Sequence, residues 1–142
     1  MSDTRAKKST LNYTLENCAF AYNELCKVNA ELIKGMSPSS KADVNHLGAM
    51  NRMIQDYLIV RVGSLFDRTR GVVSMAKIFA GQAKFEVIKN QEVIKYIIEQ
   101  RNNFVAHNNP SHIKANFPVT AKICNSNLGH LLKDLLNLLK KQ

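Results

Sequence analysis

A chain of 142 residues with 45% hydrophobic and 22% charged side chains has the size and composition of one globular domain with its own core. Three prolines and six glycines are too few for an all-β chain with a turn about every ten residues, but enough for four or five helices. Twenty Lys and Arg against eleven Asp and Glu leave a formal charge of +9, which favours acidic partners such as RNA, DNA, nucleotides or a membrane surface, although plain solubility would account for the same balance.

Residues 1–8 read as a flexible basic tail without an apolar h-region, so no signal peptide is expected. Ser9 or Thr10 can cap a first helix running to about Lys34, with Leu11, Leu15, Cys18, Tyr22, Leu25, Val28, Ala30, Leu32 and Ile33 at helical spacing. Gly35 and Pro38 stop it, and GMSPSSKAD reads as a linker. A second helix is expected from about Ala42 to Thr69, striped by Leu47, Met50, Ile54, Tyr57, Leu58 and Leu65. A short third helix spans about Val72 to Ala80, broken at Gly81, and a fourth runs from about Phe85 to Val105. Residues 108–120, with prolines at 110 and 118, form a loop. A last helix from about Ser126 to Lys140 carries a wide leucine face, which is read as core in preference to a dimer surface.

No apolar run approaches the ~18 residues of a membrane helix, so a cytoplasmic chain with no membrane partner is expected. Cys18, Cys26 and Cys124 form neither a disulfide framework nor a zinc pattern and read as reduced thiols. P-loop, GxSxG, HExxH and GxGxxG patterns are absent as well, and neither a metal nor a cofactor is expected. The whole reads as one all-α domain over residues 1–142, a four- to five-helix bundle.

Two arginines break the pattern. On the fourth helix, with Arg101 at zero, Ile97 falls at about 320°, Ile94 at about 20° and Val105 at about 40°, so Arg101 sits in the apolar stripe. A guanidinium keeps its proton, and burying it unpaired costs several kcal/mol. It is aimed at an anion across a cleft or interface, or held in an ion pair with an acid such as Asp56, Asp67 or Glu99, or packs its stem while the head snorkels to the edge, which central placement disfavours. Arg61 lies between Leu58 and Leu65, again inside a stripe, and takes a structural role or else one supporting a site. His107 follows Arg101 by six residues, about 240° round the wheel and roughly 9 Å along the axis. One straight helix would separate the two; a helix ending near Ala106, or a site shared between two subunits, would reunite them.

The segment RNNFVAH, residues 101–107, resembles the R-x4-6-H signature of the HEPN superfamily, with Arg101 and His107 matching its arginine and histidine. Asn102 matches the polar residue that follows the arginine, and Ala106, His107 and Asn108 are similar to bacterial members. The stretch YLIVRVGSLFDRTRG at 57–71, with SMAKIF after it, resembles the abortive-infection U-like branch. The resemblance implies a HEPN-like bundle, a homodimer, and a composite site at its interface acting as a metal-independent endoribonuclease, as in toxins and antiviral effectors. Arg101 would clamp phosphate and His107 exchange protons, with Asn102, Asn108 and Arg61 in support. In the branch silenced by modification of a Tyr two residues past the histidine, this chain has Asn109, so that regulation is not expected; a protein antitoxin stays unspecified. Two alternatives keep the bundle: a non-catalytic RNA- or nucleotide-binding module, and an interaction scaffold in which Arg101 is a buried ion-pair residue and His107 a helix cap.

Overall fold

The computed structural model describes residues 2–103 and 119–141, and within them the chain is all-helical. Six helices are present among the described residues: α1 Ser2–Gly35, α2 Val44–Ser64, α3 Met75–Phe79, α4 Ala83–Lys89, α5 Glu92–Arg101 and α6 Leu128–Lys140. No helix is long and apolar enough to cross a membrane, a statement that covers the described residues.

Helix α1 continues through the stretch read as a tail. Asp3 sits in its first turn, where the helix dipole favours a carboxylate, and pairs with Lys7 at 3.1 Å. Its buried side, with Leu11, Leu15, Cys18, Leu25 and Leu32, packs along α2 and α6. Asp43 caps α2 by accepting a hydrogen bond from the His46 N–H at 3.1 Å.

Helix α2 stops at Ser64, five residues before the expected end. The Leu65 and Phe66 amides close tight turns onto Val62 and Gly63, and the Asp67 carboxylate accepts from the Thr69 N–H at 2.8 Å. That local bond offers the backbone an alternative to another helical turn. Gly71, at φ +90, then turns the chain, and Ser74 caps α3. The expected fourth helix is two helices. Asn90 donates its side-chain amide to the Glu86 carbonyl at 2.8 Å, and Gln91 adopts extended backbone before α5 begins.

The core draws on every helix. Leu58, Ile59 and Val62 of α2, Phe79 of α3, Phe85 of α4, Ile94 and Ile97 of α5, and the leucines of α6 are buried in one cluster. On α6 those leucines are Leu128, Leu131, Leu132, Leu135, Leu138 and Leu139, each worth about 1.5–3 kcal/mol when fully buried. The leucine face is therefore core, as its width suggested. Between α1 and α2 lies a buried polar cluster that the periodicity did not announce: the Asn51 amide donates to Asn29 at 3.4 Å, and Gln55 donates to Asn51.

Candidate functional site

Arg101 closes α5 on the same side as Ile94 and Ile97, both fully buried. Its side chain runs across Gly63 of α2: a Cβ at residue 63 would fall 2.4 Å from Arg101 Cδ and 3.2 Å from its Cβ. A helix that approaches this closely leaves no room for any side chain but hydrogen, so the glycine is a passage for the arginine stem.

Beyond Gly63 the guanidinium meets Asp67. The Arg101 Nη2 donates to Asp67 Oδ2 at 3.0 Å, with 21% of the arginine side chain and 13% of the aspartate side chain exposed. Of the three acids named as candidate partners, the structure selects Asp67. Hydrogen bonds from the Thr69 side chain and backbone, and then the Arg101 charge, hold the Asp67 carboxyl below the usual carboxylate range against the opposing effect of burial. The pair is thus charged, partly buried and fixed from two sides. Arg101 Nε is buried and has no hydrogen-bond partner among the described residues.

The remaining site candidates do not gather round this pair. Asn102 is exposed and lines a different cleft of 380 Å³ with Lys89, Asn90, Lys95, Ile98, Glu99 and Asn103. On α5 that cleft lies about 100° round from Arg101, so the two adjacent residues address adjacent faces.

Arg61 corrects the sequence reading outright. It is exposed, and its guanidinium sits 5.9 Å above the Tyr57 ring. Leu58 and Leu65 turn into the core while Tyr57 and Arg61 stay on the outer surface. Arg61 and Gly63 point about 200° apart on α2, so Arg61 does not support the Arg101 site within one chain. His107 and Asn108 lie outside the described residues.

Asp56 is a residue the sequence reading passed over except as a possible partner. One of its carboxylate oxygens is buried without a hydrogen-bond partner among the described residues, and burial raises its pKa. Lys89, Asn90 and Lys95 were missed as cleft residues because nothing in their spacing distinguishes them from a solvated helix face. Gly63 carried a readable signal: a lone glycine inside the bulky run LIVRVGSLF.

Compared with known proteins, the chain matches no family model, no curated protein and no solved structure.

Proposed function

We propose that the protein is a metal-independent endoribonuclease of HEPN type, with a composite Arg101/His107 site assembled in a homodimer and a role as a toxin or antiphage effector. The observation that supports it is the placement of Arg101: a permanent cation held at the end of α5, at the head of the RNNFVAH segment, and oriented by a carboxylate that is itself anchored through Thr69. A guanidinium fixed in this way, its Nε buried, has its remaining Nη N–H groups to give to phosphate oxygens without first losing side-chain freedom. The net charge of +9 suits a polyanionic substrate.

The chemistry assigns three tasks. A His107 imidazole removes the proton of a ribose 2′-OH, whose oxygen attacks the adjacent phosphorus. Arg101 stabilises the charge that grows on the phosphoryl oxygens. The histidine of the second copy protonates the departing 5′-oxygen, leaving a 2′,3′-cyclic phosphate and a 5′-hydroxyl. Asn108 positions the strand, and Asn102 contacts it from the adjacent face of α5. Incubating the dimer with bulk RNA in EDTA tests this: cyclic-phosphate ends should accumulate, and His107→Ala should stop their formation without unfolding the protein. No cleavage by the wild-type chain would remove the proposal.

A second reading is favoured by the same ion pair. If Asp67 is the intended companion of Arg101, the pair ties α5 to the turn after α2, and the domain is an interaction scaffold that binds another protein. The absence of salt-dependent RNA binding is its expected outcome.

A further inference from the structure

We propose that Cys26 and Cys124 form a hydroperoxide-sensitive thiol pair that closes into an intramolecular disulfide, fastening α1 to the turn that leads into α6. Their placement carries the idea. Cys26 Sγ lies 3.7 Å from the Cys124 carbonyl oxygen, so the α1 thiol faces the backbone of the residue that carries the second one. They are 98 residues apart in sequence, so the fold and not local chain geometry brings them together.

The turn is held in register by Tyr22, one helical turn before Cys26. Its hydroxyl donates to the carbonyls of Cys124 and Ser126, both at 3.1 Å. Both cysteines are half-buried, open enough for a small oxidant. Cys18 is fully buried and lies eight residues before Cys26, about 12 Å along the helix, so it cannot substitute for either.

The chemistry balances with one hydroperoxide. The Cys26 thiolate attacks a peroxide oxygen; the O–O bond breaks, hydroxide leaves with a proton as water, and a sulfenic acid remains on Cys26. The Cys124 sulfur then attacks the Cys26 sulfur, forming S–S and breaking S–O. The Cys124 proton departs with the hydroxide as a second water. Two thiols and one hydrogen peroxide thus give one disulfide and two waters.

The test treats the full chain with millimolar hydrogen peroxide, blocks remaining thiols by alkylation, and maps the peptides by mass spectrometry. The expected result is a single Cys26–Cys124 linked peptide that dithiothreitol reverses, that persists in Cys18→Ser, and that disappears in Cys26→Ser and in Cys124→Ser. The wild-type map stands alone should a variant fold poorly. A chain left unlinked, a link through Cys18 or between two chains, or sulfinic acid at either residue without the link would overturn the proposal.

Discussion

Arg101 reaches Asp67 by crossing Gly63, and the three residues form one device: a glycine that gives passage, a cation that passes, and a carboxylate that receives it at 3.0 Å. Each of the three makes a different prediction, because each contributes through a different physical term.

Gly63→Ala should destabilise the protein even though alanine favours a helix interior by about 1 kcal/mol. The new methyl meets the middle of the Arg101 side chain and not its mobile end, so α5 or the arginine must move. Overpacking of this sort costs about 1–3 kcal/mol, and urea denaturation should show a net loss. A gain in stability would mean that the two helices are not this close in solution.

Asp67→Asn should cost about 1–3 kcal/mol at neutral pH, because it leaves a partly buried guanidinium without its counter-charge. The sign of the pH dependence follows from the lowered pKa of Asp67. Its contribution is present above the unfolded-state value of about 3.9 and is lost as pH falls through the lower folded value. Thermal melts of wild type and Asp67→Asn should therefore differ at neutral pH and converge in acid. Parallel curves at every pH would show that the charge of Asp67 is not what stabilises.

Asp56→Asn should act in the opposite direction. Burial raises the Asp56 pKa, so its ionised form opposes folding at neutral pH, and that penalty vanishes once the pH falls below about 3.9. Removing the charge should stabilise the chain by up to about 1 kcal/mol at pH 7, with the difference closing in acid. A destabilised variant at pH 7 would show that the Asp56 carboxylate has a cationic companion in solution.

Much of the fold is legible in the amino-acid sequence because burial follows periodicity. The leucines of α6 and the Leu11–Leu32 side of α1 enter the core as their spacing predicts. The break between α4 and α5 is not legible, since apolar spacing continues across Asn90 and Gln91, whose side chains cap the Glu86 and Val87 carbonyls while Gln91 turns to extended backbone. Arg61 was misplaced because a stripe containing both Tyr57 and Leu58 is about 100° wider than it looks, and only one of its edges faces inward. At the site, the anomaly of Arg101 within an apolar stripe could be read from the wheel, but its choice of Asp67 over Asp56 or Glu99 could not. That choice depends on where α2 ends and how the turn after it folds, where the Asp67 carboxylate accepts from the Thr69 N–H, and hydrophobic pattern does not report either.

We propose that the arginine serves a phosphate and is not there merely to bridge two helices. The double variant Arg101→Met with Asp67→Asn separates these roles, since it removes both charges together, leaving neither without its partner, and the asparagine amide oxygen can still accept from the Thr69 N–H. Cleavage of bulk RNA in EDTA, measured on the double variant after circular dichroism and melting confirm its fold, is the decisive observation. The expected result is a folded protein whose cleavage rate falls at least about a hundredfold, as for loss of a group that stabilises transition-state charge. A folded double variant that cleaves RNA at the wild-type rate would contradict it.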